Sequence, residues 1–352
     1  LGDVYKRQVS FEGDKGFIYK SNLCLHTAIK ILKPIHSFIA NSNQNLYDEL
    51  YKFEWSAYLN ENSSFVFDSV ISGEIFTHSL FVSQKAKDAL VDKFRNKNGI
   101  RPNVDLKNPD IRFHLHIKNN MCNLLIDSSG EPLNKRGYRT GTNIAPINEV
   151  LAAGIIKLSN WDMSNDFFDP MCGSGTFLIE AALMACNIPA NINRDEFAFE
   201  KWQDWDPDLF EKIQNSQLKR VEEPKVSIFG IDKSPSAISK AKQNIENASL
   251  SEFIKVENFD FFKSNKFGNK KWHITINPPY GERLKGDIKD LYKQIGNTLK
   301  FNYSDTNAWI ITSNLDFMKF IGLKPRKKIK LFNGKLESRL LYFPVYNGTK
   351  KT

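Results

Sequence analysis

"FFDPMCGSGTFLIEAAL", residues 167–183, brings two patterns together at one turn. Phe167, Phe168 and Asp169 read as the end of a short strand. Pro170 breaks it, Gly-Ser-Gly at 173–175 turns the chain, and apolar residues fall at helical spacing from Thr176. Glycine lets backbone come close to a ligand, and open α/β sheets bind ligands at the carboxyl ends of their strands. The turn is not a Walker loop, because the lysine and the spacing are missing. Nor is it a full GxGxxG, since Leu178 stands where the third glycine would. Taken alone, it serves equally well as a structural strand–helix connection.

The flanks repeat the alternation. "APINEVLAAGIIKL" (145–158) places Pro146 near a helix start, with Ile147, Leu151, Ile155 and Leu158 at helical spacing. "VSIFGID" is a strand and "SAISKAKQNIENA" a helix; "WHITIN" and "AWIIT" are strands around the helical "DLYKQIGNTLK". Such alternation predicts a mainly parallel sheet wrapped by helices. The last run, "KIKLFNGKLESRLLYFPVY", has Asn-Gly between two strand patterns, so an antiparallel hairpin is expected to close the sheet. "FAFEKWQDWDPDLF" (197–210) reads as an insertion, because it separates the glycine turn from the next acidic strand end.

The chain has 352 residues, enough for two domains. A hydrophobic fraction of 41% with 25% charged residues is that of a soluble globular protein, and no apolar run is long enough for a membrane span. Cys24, Cys122, Cys172 and Cys186 form no CxxC pairs, so reduced thiols in a cytoplasmic protein are expected, with no metal site. The net charge of +9 favours a nucleic-acid partner, since lysine and arginine displace counterions from phosphates; a merely solubilising surface is the alternative. The first eight residues, which begin without methionine, are left out of the fold reading.

Before residue 145 the texture is different and more basic. "KDALVDKFRNKNGIRP" (87–102) predicts a helix that stops at Gly99. "IRFHLHIK" (111–118) alternates strictly, which predicts a half-buried strand whose outer face carries Arg112, His114, His116 and Lys118 to solvent or RNA. Metal binding by the two histidines has no cysteine or carboxylate cluster to support it. "SSGEPLNKRGYRTGTNIAP" (128–146) reads as a linker, with Lys135, Arg136 and Arg139 as possible phosphate contacts.

Two more strand ends carry acids. Asp232 closes "VSIFGID" and can accept both hydroxyl hydrogens of a ribose, while Ser234 is the better cap for the helix that follows. Asp260, in "VENFDFF", suits an adenine amine and is otherwise a common surface aspartate. "INPPYGERL" (276–284) ends a strand on Asn277-Pro278-Pro279-Tyr280. The proline pair stiffens the chain and leaves the Pro278 carbonyl unclaimed by ladder or helix. That carbonyl and the Asn277 side-chain oxygen can both accept from one planar NH₂ group. Such bonds localise the amine's lone pair and steady the charge it develops in attack on a methyl donor. Tyr280 can stack on the base.

These motifs together resemble class I S-adenosylmethionine-dependent methyltransferases that act on exocyclic amines. With the stretch around 86–105, "SSGEPLNKRGYR" and "APINEVLAAG", the chain resembles the THUMP-containing RNA guanine-N2 methyltransferases. It is most similar to the N-terminal, guanine-N2 half of the RlmL-type 23S rRNA methyltransferases. The resemblance implies an α/β fold: a Rossmann-like class I methyltransferase domain at 141–352. Before it would stand an α+β RNA-binding module, a partial ferredoxin-like segment at 9–38 and a THUMP-like domain at 39–140. S-adenosylmethionine is implied as cofactor, held by Asp169, Pro170, Met171, Cys172, Gly173, Ser174 and Gly175, with Asp232, Lys233 and Asp260. Asn277 through Tyr280 would hold the amine. Against the family the ferredoxin-like segment looks truncated, and the second methyltransferase domain fused in some relatives is not seen. The expected activity is methyl transfer to N2 of a guanine in 23S rRNA. A tRNA guanine-N2 methyltransferase and a non-catalytic RNA-binding assembly factor are the alternatives. DNA adenine and protein glutamine methyltransferases share NPPY-like motifs, but the THUMP-like region counts against them.

Overall fold

The structure is a computed structural model that describes residues 8–139, 147–268, 270–279 and 287–346, without the side chain of residue 98. The chain divides into two compact units. The first gathers residues up to 23, 28–133 and 195–216; the second gathers 24–27, 134–194 and 217 onward.

The first unit is built on a five-stranded mixed sheet of β1 (Leu32–Ile39), β2 (Ser64–Ser72), β3 (Asn103–Val104), β4 (Ile111–Lys118) and β5 (Met121–Asp127), in the order β1-β5-β4-β2-β3. The domain break expected at 38/39 falls inside β1. Helices α1 (Lys15–Cys24), α2 (Asn43–Lys52) and α3 (Ser79–Asn98) accompany the sheet. Ser42 caps α2 by accepting from the Asn45 N–H, and Gly99 ends α3 at φ 73°, the left-handed cap that glycine adopts without strain. The 197–210 stretch joins this unit through its aromatic rings: Phe199 packs on Tyr19, and Trp205 and Phe210 close around them.

β4 alternates as expected, with Ile111, Phe113, Leu115 and Ile117 buried, Arg112 and His116 half-buried and Lys118 exposed, but His114 of the outer row is drawn inside. The strand lies between β2 and β5, and His114 is only 9% exposed, its Nε2 3.6 Å from the carboxylate of the fully buried Asp127. Burial pushes the Asp127 carboxyl up, but His114 and the Lys30 ammonium outweigh it and hold it below its ordinary range. Arg112 pairs with Asp68 on β2. Carboxylates of the same unit therefore claim two of the four side chains expected to face solvent or RNA. Period-two patterning marks faces but cannot say whether the second face is wet.

The second unit holds a seven-stranded sheet in the order β11-β12-β10-β9-β6-β7-β8. Its strands are β6 (Asp166–Asp169), β7 (Ile228–Asp232), β8 (Ile254–Asn258), β9 (Trp272–Ile276), β10 (Thr306–Thr312), β11 (Lys327–Asn333) and β12 (Leu336–Val345). β10, β9, β6, β7 and β8 run parallel, and β12 is antiparallel to β10 and to β11. Consecutive residues of β6 feed opposite cores. Phe167 packs with α4 (Glu149–Leu158), α5 (Thr176–Ala185) and α7 (Pro235–Asn247); Phe168 packs with α8 (Ile288–Asn302). α6 (Pro207–Leu218) begins in the 195–216 segment and ends two residues beyond it. The hairpin forms one residue later than expected. Asn333 still pairs with Leu336, and Gly334, at φ 61°, takes the first central position of the turn with Lys335.

β6 is flanked by β7, next in sequence, on one side and by β9 on the other. Chain direction across the sheet reverses there, and the crevice beyond the carboxyl ends of these strands is where such sheets receive ligands.

Candidate active site

Asp169 ends β6 almost fully buried, and its Oδ1 accepts from the Met171 N–H at 3.1 Å. Burial, with the negative charge of Asp232 nearby, raises its pKa well above the usual carboxylate range; the Met171 N–H offsets only part of this. The turn is then pinned from several sides. The Cys172 N–H donates to the Ile231 carbonyl at 3.0 Å, and the Gly175 N–H to the Cys172 carbonyl at 2.8 Å. Gly173 and Gly175 have φ of 54° and 83°, the left-handed region that disfavours other residues. A Cβ on Gly173 would meet nothing within 4 Å, so that residue borders open space. One on Gly175 would lie 3.4 Å from Ala241 of α7, an ordinary contact, so the left-handed φ rather than space is what favours glycine there.

Asp232, at the end of β7, closes onto the same turn. Its Oδ2 accepts from the Gly173 N–H at 3.0 Å and its Oδ1 from the Ser234 N–H at 2.9 Å, while Ser234 caps α7. The Asn258 amide and the Phe259 N–H donate to the Asp232 carbonyl, tying the end of β8 to that of β7. Asp260 follows, half-buried, with Oδ1 accepting from the Phe262 N–H at 3.0 Å. Lys233 is exposed; Pro170 and Cys172 are buried; Met171 and Ser174 are half-buried. The Cys172 thiol lies in the core, where burial pushes its pKa well up, so this residue shapes the turn by packing.

β9 delivers the proline pair to the same edge. Phe168 is level with Ile274, so Asn277 leaves β9 two residues beyond the level of Asp169. Pro278 is buried, and Asn277 and Pro279 are half-buried. Tyr280 lies outside the described residues.

Two of the three expected phosphate contacts are corrected. Arg136 is 2% exposed. Its Nε and Nη2 donate to the two carboxylate oxygens of Glu180 at 3.2 and 3.3 Å, and its Nη1 to Asn191 Oδ1 at 3.0 Å. Arg139 pairs with Glu149 and donates to Thr176 Oγ1 at 2.7 Å, the Ile147 carbonyl at 3.2 Å and Ser174 Oγ at 3.4 Å. Both guanidiniums are committed inside the protein, because buried carboxylates of α5 and α4 need a cation. Lys135 is exposed.

Other supports of the turn went unnoticed in the sequence. Asn244 of α7, 2% exposed, donates to the Ser174 carbonyl at 2.9 Å. Gly230 in β7 does the work of the missing third glycine from the strand side, since a Cβ there would lie 2.6 Å from Leu178 Cδ1. Glu180 carried a readable signal: a lone acid in the wholly buried α5 demands a partner. Among the described residues, no group of three or more His, Cys, Asp or Glu could hold a metal, and no helix is long and apolar enough to cross a membrane.

Comparison with known proteins agrees with this arrangement. Residues 136–341 match the family described as RMKL-like, methyltransferase domain, and residues 40–127 match the THUMP domain. The chain is 34% identical over 96% of its length to the Ribosomal RNA large subunit methyltransferase K/L of Cellvibrio japonicus, covering 47% of that protein. It thus spans about half the length of the K/L relatives it matches. It is 31% identical to a Synechocystis protein provisionally named RNA methyltransferase slr0064, over 96% of this chain and 88% of that one. The crystal structure of SMU.472, provisionally described as a methyltransferase and complexed with SAH, superposes with a TM-score of 0.84 at 30% identity, covering 96% of this chain and 89% of that one. With its glycine turn, acidic strand ends and Asn-Pro-Pro tip on one sheet edge, the chain belongs to the RMKL-like methyltransferase family and carries a THUMP domain before the catalytic fold.

Proposed function

We propose that this protein transfers a methyl group from S-adenosylmethionine to the exocyclic N2 amine of a guanine in 23S rRNA. One observation carries the reading: the Asn277-Pro278-Pro279 tip, the glycine turn and Asp232 lie on adjacent parallel strands at the switch point of the sheet. The residues present fit the donor. Gly173 borders open space, Asp169 through Gly175 form a turn held rigid from behind, and Asp232, Lys233 and Asp260 supply polar groups at the next two strand ends. When bound, the donor would supply an electrophilic methyl carbon on a sulfonium, whose C–S bond would break as the N–C bond forms to leave a neutral thioether.

The chain's own residues then do the rest. The Asn277 side-chain oxygen and the Pro278 carbonyl accept from the two N–H bonds of the target amine, localise its lone pair and steady its developing positive charge. Tyr280 stacks on the base. The N–H acidifies as the new bond forms, and the two acceptors hold it until water removes the proton. Stiff backbone at the tip orients the amine for in-line attack, which supplies much of the rate. RNA is gripped by the THUMP domain and by Lys135, and an rRNA substrate places the reaction in the cytoplasm.

The test is methyl transfer to unmodified 23S rRNA and to tRNA in competition, followed by identification of the methylated nucleoside. N2-methylguanosine from 23S rRNA is expected. N6-methyladenosine alone would refute the base assignment, and preference for tRNA would refute the substrate. Failure to bind S-adenosylmethionine in calorimetry by the folded protein would refute catalysis itself.

A further inference from the structure

We infer that Arg139 is a positioning residue for the methyl donor: its guanidinium braces the glycine turn from outside and sets how firmly the turn can hold the cofactor. The inference rests on the donor assigned above but not on the target base. Arg139 reaches two elements at once. On one side lie Glu149, in the first turn of α4, and the Ile147 carbonyl just before it. On the other lie Ser174 in the turn and Thr176, the first residue of α5. Only a planar fork with five donors can serve four acceptors in these directions, so lysine is no substitute.

The location needs a reason beyond helix stability. A cation at a helix N-terminus opposes the helix dipole, and Ser or Asp would be the ordinary choice there. Here the N-cap is Gly175, with no side chain to tie the first turn down. A guanidinium has no acceptor for the free N–H groups of that turn, so it does not cap the helix; it ties the first turn to α4 by donating to the hydroxyls of Ser174 and Thr176, and Glu149 balances its charge. Its own position is fixed in turn. Arg136, three residues earlier, grips Glu180 one turn further along α5. Gly137 between them, at φ 96°, lies so near the Asn193 carbonyl that a Cβ would come within 1.9 Å of its oxygen. The strap thus lies along α5 at two points and cannot slide, and the turn inherits that rigidity. A ligand pocket held in its binding geometry avoids the cost of ordering on binding.

The experiment compares Arg139→Met, Arg139→Lys, Thr176→Val and the Arg139→Met/Thr176→Val double variant in the full chain. Calorimetric titration with S-adenosylmethionine is expected to show about tenfold weaker binding for Arg139→Met, the scale of losing bonds to a charged group. Arg139→Lys is expected not to restore it. Thr176→Val should weaken binding about threefold, and the double variant no more than Arg139→Met alone, because both act through one contact. The KM for the donor should rise while kcat at saturating donor stays within about threefold. RNA affinity and its salt slope should not move. Donor affinity within about twofold of the parent in folded Arg139→Met, or additive losses in the double variant, would overturn the inference. So would lost RNA affinity with donor binding intact. If Arg139→Met does not fold, Thr176→Val decides: unchanged donor affinity sinks the brace. Absence of donor binding by the parent protein would instead be a failure of the donor assignment.

Discussion

Replacing Arg136 by methionine removes a cation that the protein, not RNA, consumes. Glu180 is fully buried and would lose the two hydrogen bonds from Arg136, and Asn191 Oδ1 and the His26 carbonyl would each lose the bond that Arg136 donates. Methionine roughly fills the space, so the cost is mainly that of a buried carboxylate left with only the His26 ring, 3.5 Å from its Oε2, about 3–5 kcal/mol. With a urea m-value of about 3 kcal/mol/M, a loss of about 4 kcal/mol moves the unfolding midpoint down by a little over 1 M. The assay is urea unfolding followed by circular dichroism, with Arg136→Met/Glu180→Leu alongside. The double variant removes the stranded charge and should recover most of the loss, because well-packed apolar pairs replace buried ion pairs at little cost. A single-variant loss below about 1 kcal/mol, or a double variant no better than the single, would refute the reasoning. So would a large fall in RNA affinity by a fully stable Arg136→Met protein, which would return Arg136 to the RNA surface.

Asn277→Ala should lower turnover by about a hundredfold or more, the scale of losing one preorganised partner of the reacting group, and leave S-adenosylmethionine binding within twofold; near-normal single-turnover rates would contradict its role. Gly137→Ala forces a Cβ to 1.9 Å from the Asn193 carbonyl oxygen at a left-handed φ, so it should destabilise the fold more than any ordinary surface change, and an unaltered melting temperature would show that the strap can shift. His273 is buried and neutral, its pKa lowered to about 3 by burial; its Nε2 shares a hydrogen with Ser159 at 2.9 Å. The unfolded chain, with an ordinary imidazole, binds the extra proton first, so this contribution is full above about pH 6.5 and falls as pH drops toward 3, by about 2 kcal/mol at pH 5. Unfolding free energies of the parent and His273→Gln between pH 5 and 7.5 check this: the variant's slope should be shallower, and equal slopes would exclude His273.

The alternating run from 166 to 312 was legible because strand and helix periods differ and every break carries Gly, Pro or a cap. The turn at 173–175, the acids at strand ends and the Asn-Pro-Pro tip were legible for the same reason, each being a local pattern. The Gly334-Lys335 turn slipped by one residue because Asn-Gly marks a hairpin but cannot settle which pair closes it. What sequence could not reveal was partnership. Arg136 meets Glu180 across 44 positions, and Asn244 meets the Ser174 carbonyl across 70. "NKRGYR" looked like a solvated basic linker because a charge run has the same composition whether water, phosphate or a buried carboxylate surrounds it.

Short-range sterics and hydrophobic period, which act over a few neighbouring residues, were enough to order the elements and to put the donor turn and the proline tip at strand ends. Which cations are drawn inside and which brace the turn depends on charges brought together from distant positions. Desolvation decides that assignment, and it exists only once the chain has packed.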